Sequence, residues 1–370
     1  MKRFFALGLF VAILALSLFG CAPKAPEGDR EITDLLGRRV TVPTKIERVV
    51  CIGAGALRLY SYVGDMEKLC GVEACEGGFL ISARPYQIVN EKLFKSLPTI
   101  GAGGPGSTAD AESIIAQNPD VIFSLYNSDP SQMDKLAQKT GIPVVVLSYG
   151  KTEAFDQSII KSLTLMGEIL NRTDRAKAVC DYIGQIEADL KSRTADVKEA
   201  DKKTVYIGCQ SNYGTHGIGS SSANYSIFDS IGARNVLDEA GFKGYQGSID
   251  RETLLSLDPE IIIIDGGGLS VLKEEYLENK GFFQSLTAVK NLDVYVQMPY
   301  NAYYTNLEIA YANCYFAGKC IFPRAFSDVD PADKFDEIST FFLGEACYDR
   351  VSEEIFGGYQ RLDWESLFNE

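Results

Sequence analysis

Apolar residues along this chain follow two rhythms. Short β-branched runs, RVVCI at 48–52, VIF at 121–123, TVYIG at 204–208 and EIIII at 260–264, have no polar alternation and end in glycine- or hydroxyl-rich turns. Runs of that kind read as strands covered on both faces, the mark of a parallel sheet. A second rhythm, with helical spacing, fills the middle of the chain. TEAFDQSIIKSLTLMGEIL (152–170) stops at Asn171, and RTDRAKAVCDYIGQIEADLKSRTADVKEA (172–200) follows. In the second segment Ala176, Val179, Cys180, Ile183, Ile186 and Leu190 form one stripe, with Thr173 placed to cap the start. About 24 residues rising ~1.5 Å each would span ~36 Å, the width of a small domain. Two readings of this helix stand: a rod crossing between two lobes, or a surface helix belonging to one lobe.

The strands and helices recur in order. DAESIIAQNPDVIF (110–123) and DRETLLSLDPEIII (250–263) share Asp-x-Glu, a short amphipathic helix, Asn/Asp-Pro-acid and a β-branched strand. Glu112 and Glu252 occupy the matching places, 140 positions apart. A strand and a glycine-rich loop precede each unit, so one βαβ module occurs twice. A solenoid repeats every 20–50 residues or so, and this spacing is far longer. The pattern predicts an α/β protein of two similar lobes with mostly parallel central sheets facing each other.

Composition narrows the setting. MKRFF followed by ALGLFVAILALSLF has the charged and apolar parts of a secretory signal, and the apolar run falls short of the ~20 residues of a spanning helix. Leu18-Phe19-Gly20-Cys21 resembles a bacterial lipobox, which implies lipid attachment at Cys21 and an extracytoplasmic location. APKAPEGDR then reads as a tether. The resulting boundaries are a signal at 1–20, a tether at 21–30, an N-terminal lobe at 31–150, connecting helices at 151–200, and a C-terminal lobe with a helical tail at 201–370. A net charge of −14 without a basic stripe speaks against nucleic acid as a partner. Of the eight cysteines after Cys21, Cys51 and Cys209 look like core residues, while Cys70/Cys75 and Cys314/Cys320 are near enough in sequence to bridge.

RVVCIGAGALRLY (48–60), with Glu73 twenty residues after Gly53, imitates a dinucleotide-binding turn. Position 58 is Arg where that fingerprint needs a small residue, so the glycines are better read as letting backbone approach a ligand. The segments at 31–73, 107–123, 139–147 and 248–265, in this order behind a lipobox, resemble the substrate-binding proteins of iron-chelate (siderophore or haem) and cobalamin ABC importers. The resemblance implies two α/β lobes joined by one long helix, the class III arrangement. It also implies a metal chelate held between the lobes and delivery to a permease dimer with a cytoplasmic ATPase. By the same resemblance Glu112 and Glu252, one per lobe, dock onto the permease; without it, each is an acid favoured at a helix N-terminus.

Cargo residues are expected in the loops after the strands, because open parallel sheets bind ligands at their carboxyl ends. Those loops hold Arg58, Tyr60, Arg84, Tyr126, Tyr213, His216, Tyr300 and Tyr303. Tyrosine offers a flat face with one hydrogen bond, and arginine a fork for oxygen anions. His216 is the one histidine, so direct capture of a bare transition metal is not expected; it contacts the ligand or is simply solvated. The tail at 309–344 reads as a helix, a Pro-bounded loop and a second helix. Relatives with such tails include binders of molybdate or tungstate, so an oxyanion is the rival cargo. No catalytic constellation stands out, and no cofactor is expected. A metal-cluster redox enzyme is the rival from another class, and the expected state is a monomer.

Overall fold

The computed structural model describes residues 28–77, 84–104, 106–126, 129–151, 153–212 and 214–364. The signal segment, Cys21, most of the tether and Tyr213 lie outside the described residues. The tether ends sooner than its sequence suggests, since Asp29–Thr33 is already a strand paired antiparallel with Arg39–Pro43.

Two sheets form the lobes. The first runs Leu69–Gly71, Val49–Ile52, Val121–Ser124, Val144–Val146, all parallel. The second runs Arg234–Asn235, Thr204–Gly208, Ile261–Asp265, Val294–Gln297, again parallel, and adds Gln360–Arg361 antiparallel at its edge. Both sheets have the same order, with the first strand of each lobe in second place beside the third. The duplication read from the sequence is therefore a duplication of topology. Equivalent positions do equivalent work. Asp120 accepts the amides of Glu47 and Arg48 at 2.7 and 2.8 Å, fixing the entry to the first lobe's first strand. Glu260, 140 residues on, accepts the amide of Thr204 at 3.0 Å and fixes the entry to its counterpart.

Strand periodicity divides the core into three layers. Val49, Cys51, Val121 and Phe123 face inward, while Val50, Ile52 and Ile122 face an outer layer. In the second sheet Val205, Ile207, Ile261 and Ile263 face inward, and Tyr206, Ile262 and Ile264 face outward. Both inward faces belong to one continuous cluster.

The helix Thr173–Thr194, 22 residues long, runs between the lobes with Ala176, Val179, Ile183, Ile186 and Leu190 buried as the stripe requires. Cys180 lies at the edge of the stripe and is half-buried. Thr173 makes no cap: position N-cap is Arg172, and no side chain bonds there. The preceding helix, Gln157–Ile169, starts later than its pattern suggests because the Asp156 side chain caps it by accepting from the Ser158 amide.

The crossing helix does not stand alone. Helix Leu307–Ile321 is apolar all round and buried along most of its length, as a central helix should be. It packs against Pro331–Leu343, which in turn touches the N-terminal lobe helices Ala56–Val63 and Pro85–Ser96. The tail thus returns across the molecule. Arg175 on the crossing helix ties the ends together, donating to the carbonyls of Tyr62, Phe341 and Phe342 at 2.9, 2.7 and 3.1 Å. All eight described cysteines are free. Cys314 and Cys320 sit on one helix six residues apart, about 9 Å along its axis and on different faces, beyond the reach of a bridge. Cys70 lies in a strand, its thiol directed to the Val49 carbonyl and away from Cys75.

Phe342 meets all three bodies: Tyr62 at 4.9 Å, Tyr182 at 6.0 Å and Tyr311 at 6.0 Å between ring centroids. Phe342→Ala should cost about 3–5 kcal/mol. Urea unfolding read by Trp364 fluorescence, local to the C-terminal lobe, and by far-UV circular dichroism should shift together. Separate midpoints would show lobes that fold independently, contrary to a shared core.

Candidate functional site

The glycine turn at 53–55 is built for a close approach, but to the chain itself. Gly53 and Gly55 have φ of 81° and 86°, and a Cβ on Gly53 would lie 2.7 Å from the Tyr126 backbone nitrogen. The turn launches helix Ala56–Val63 and points Arg58 at the other lobe. Arg58 is fully buried. Its Nη1 donates to the carbonyls of Tyr303 and Thr305 at 2.8 and 3.1 Å, and Nη2 donates to that of Ala302 at 2.7 Å. The guanidinium also lies 5.0 Å from the Tyr86 ring centroid. Tyr303 and Tyr304 are held at φ of 53° and 66°, a left-handed region that L side chains enter at a cost of ~1–2 kcal/mol each. Tyr149 stacks on Tyr304 at 5.1 Å. Beneath them Tyr62 donates to the buried Glu308 carboxylate, whose pKa burial raises.

Glu73, the mimic of a ribose-binding acid, closes the turn. It accepts from the Gly53 amide at 2.9 Å and the Tyr126 hydroxyl at 2.7 Å. Burial pushes its pKa up to about 7 against those two bonds, and the nearby Glu76 adds to the rise. Glu76 accepts from the Tyr86 hydroxyl and Gln87 Nε2 at 2.5 and 2.7 Å, and pairs with Arg84 at 3.3 Å. Arg84 lays its guanidinium 4.2 Å from the Tyr303 ring centroid, a second cross-lobe contact. Its Nε and Nη2 have no partner among the described residues.

A cavity of about 330 Å³ opens beside this interface, at the carboxyl ends of Thr204–Gly208 and Val294–Gln297. Gln210, Ser211, Tyr225, Tyr300 and Asn301 line it from the C-terminal lobe, and Lys151 and Glu153 from the segment leaving the N-terminal lobe. Its groups are pre-oriented. Gln297 Nε2 donates to the Tyr225 hydroxyl at 2.7 Å, and that hydroxyl in turn hydrogen-bonds with the hydroxyl of Tyr300. Ser222 donates to Gln210 Oε1 at 2.6 Å. Asp265 accepts the amides of Ser211 and Gly267 at 3.0 and 2.9 Å, and burial raises its pKa to about 6. The Ser211 hydroxyl is buried beside the Asp265 carboxylate. A larger cavity, about 560 Å³, lies at the sheet edge by Tyr295 and Arg361, away from the carboxyl ends; Lys203 and Arg361 there already pair with Asp293.

Of the residues expected to meet cargo, Tyr300 lines the 330 Å³ cavity. Tyr60 is in the core, its hydroxyl donating to the Asp65 carbonyl at 2.6 Å. Arg58, Arg84 and Tyr303 form the lobe interface, and Tyr126 holds Glu73. His216 places Nε2 2.8 Å from the Asn212 carbonyl, outside the cavity lining. Glu112 and Glu252 are exposed, each in the first turn after a capping aspartate. Lys151, Gln210, Ser211, Tyr225 and Asn301 were not singled out from the sequence. Ser211, Tyr225 and Asn301 fall inside loops that placement at strand ends marks out; Lys151 and Gln210 had no such signal.

Replacing Arg58 by Lys or Met should destabilise the fold by about 3–5 kcal/mol, because buried carbonyls lose their donors and a single ammonium cannot span them. An arginine serving cargo would instead lose affinity at unchanged stability in urea unfolding. Glu73 gains its proton near pH 7 in the fold but near 4.5 when solvated, so the folded chain binds more protons across that window. Its contribution to stability is full below about pH 4.5 and is lost as pH rises to about 7. Glu73→Gln should flatten that decline in urea titrations from pH 4.5 to 8; an unchanged slope would remove Glu73 as its source.

Known proteins share this architecture. The structure of a periplasmic solute binding protein from Veillonella parvula superposes with a TM-score of 0.67 at 20% identity, covering 88% of this chain and 96% of that one. The molybdate-bound form of the Haemophilus influenzae protein MolA superposes at 0.63 with 22% identity, over 86% of this chain and 99% of that one. In sequence, the molybdate-binding protein MolA is 25% identical over 323 residues, 82% of this chain and 87% of MolA. A profile described as periplasmic binding protein matches residues 84–300, more than half of the 370. With two duplicated lobes and a polar cavity at their junction, the chain belongs to the periplasmic binding protein family.

Proposed function

We propose that the chain is the lipid-anchored, extracytoplasmic receptor of an ABC importer, that it binds a compact hydrophilic oxyanion, and that it hands this cargo over unchanged. The observation carrying this reading is the 330 Å³ cavity, small among ligand sites and lined mostly by hydroxyls and amides, with one lysine and one carboxylate, Lys151 and Glu153, where larger organic ligands meet mostly apolar walls. The hydroxyls of Ser211 and Tyr225, the Asn301 amide and the Lys151 ammonium are groups that can donate to oxygen anions. Arg58, the strongest such donor expected from the sequence, is spent on backbone carbonyls. MolA, similar over most of both chains, is named for molybdate, which supports the same class of cargo. Cys21 would carry the anchor, and Glu112 and Glu252 would meet the permease as a monomer docks.

Calorimetric titration of the full mature chain tests the cargo. Molybdate or tungstate should bind, and Ser211→Ala with Asn301→Ala should weaken that binding by about tenfold per lost hydrogen bond. Tight binding of a ferric chelate, haem or cobalamin with no response to either oxyanion would overturn the reading and return the cargo to the chelate class.

A further inference from the structure

Among the described residues, six large apolar side chains are exposed: Ile115, Tyr245, Leu255, Leu277, Leu292 and Phe356. Scattered apolar residues on a surface need no explanation. Two of these are not scattered. Ile115 and Leu255 lie 140 positions apart, the same offset that relates Glu112 to Glu252 and Asp120 to Glu260. They are 44% and 38% exposed.

Each sits on the short helix that carries its lobe's glutamate, Ala111–Ala116 and Arg251–Leu257. The inner face of each helix is already supplied by the preceding residue, Ile114 or Leu254, with no measurable exposure. The fold therefore needs nothing apolar at 115 or 255, where a surface helix ordinarily places a polar residue. Glutamate and aliphatic residue are three positions apart, which sets them side by side on one helix face. The mount is alike in both lobes, an aspartate capping the helix start. Asp110 accepts from the Glu112 and Ser113 amides at 3.2 Å each, and from the Ser113 hydroxyl at 2.7 Å. Asp250 accepts from the Thr253 amide and hydroxyl at 2.8 and 2.9 Å. In each lobe the helix precedes the Pro-acid turn that leads into a strand of the parallel sheet, so the two patches hold equivalent places in the fold.

We infer that Ile115 and Leu255 are a matched pair of docking knobs, each seated beside a docking glutamate, and that they fit a membrane permease whose two subunits each present a cation next to an aliphatic socket. Two equivalent patches call for two equivalent sockets, which a partner of two-fold or near two-fold symmetry supplies. The carboxylates call for cations on that partner, and the knobs for apolar recesses. The division of labour is physical. Exposed charge pairs steer and orient but hold weakly, whereas a buried aliphatic side chain adds residence time. This inference rests on the docking role proposed for Glu112 and Glu252.

The test measures binding of the full mature chain to its permease–ATPase complex in nanodiscs, with cargo affinity and thermal unfolding as controls. Ile115→Ser with Leu255→Ser should raise Kd by about tenfold per position and leave both controls unchanged. Ile115→Leu with Leu255→Ile should retain affinity. Glu112→Gln with Glu252→Gln should also weaken binding, and the complex that remains should lose most of its salt sensitivity. If the glutamate pair matters and the serine pair does not, the knobs are overturned and the docking reading survives. If neither pair matters, the docking reading fails and the inference fails with it. If the serine pair alters only self-association in sedimentation, the occupant is a second copy of the chain and the permease assignment is overturned.

Discussion

One buried guanidinium decides how the two halves of this molecule sit. Arg58 leaves the first turn of an N-terminal lobe helix and takes three carbonyls from residues 302–305 of the other lobe. A charge removed from water is tolerated only where its donors are met. The carbonyls meet them because Tyr303 and Tyr304 adopt left-handed backbone, which turns the oxygens of Ala302, Tyr303 and Thr305 toward one point. Strain in the loop and burial of the charge are thus each sustained by the other. The rings of Tyr149 and Tyr303 extend the contact, one stacked on Tyr304 and the other beneath Arg84.

From that contact follow both the rigidity and the location of the cavity. A hinge that separated the lobes widely would expose the guanidinium, release the loop and split a core cluster that runs from Val40 to Ile355. Phe342 and Arg175 resist the same motion from the tail and the crossing helix. Access to the cavity is therefore set by the loops around Lys151, Ser211 and Asn301 more than by whole-lobe rotation. The loop that Arg58 clamps is also the one that places Tyr300 and Asn301 on the cavity wall. Lobe geometry and pocket shape are set by one interaction.

The duplicated topology was legible in the sequence because a helix and a buried strand impose different periods, and both periods repeat with the same offset. The crossing helix was legible for the same reason, through its stripe from Ala176 to Leu190. The role of Arg58 was not. Its partners are backbone carbonyls some 245 residues distant, and a carbonyl leaves no mark on the residue type that carries it. Arg58 read as a cargo ligand because an arginine after a glycine turn has the right chemistry for one. The spacing of Glu73 from Gly53 is real, and the carboxylate holds the glycine amide, so the likeness to a dinucleotide turn, set aside on Arg58, is one of spacing alone. Tyr60 was read as a cargo residue and is packed in the core, since tyrosine serves packing as readily as binding. The tail's return to the first lobe could not be read, because an all-round apolar helix such as Leu307–Ile321 does not say which neighbours surround it.

Duplication also makes the asymmetry of the site informative. The two sheets share strand order, yet their carboxyl-end loops have diverged to different tasks. In the first lobe the loops after the strands supply the clamp: Arg58, Glu73, Tyr126 and Tyr149 are engaged with the protein itself. In the second they supply the cavity, through Gln210, Ser211 and Asn301. Asp265 holds the backbone of that wall by two amides, as Glu73 holds the Gly53 turn by one amide and a hydroxyl. A buried carboxylate that organises a glycine-rich turn is thus common to both lobes, while its partners differ. In the first lobe they are the Gly53 amide and the Tyr126 hydroxyl; in the second they are the Ser211 and Gly267 amides, with the Ser211 hydroxyl beside the carboxylate. One shared arrangement thus serves the lobe interface in one copy and the cavity wall in the other.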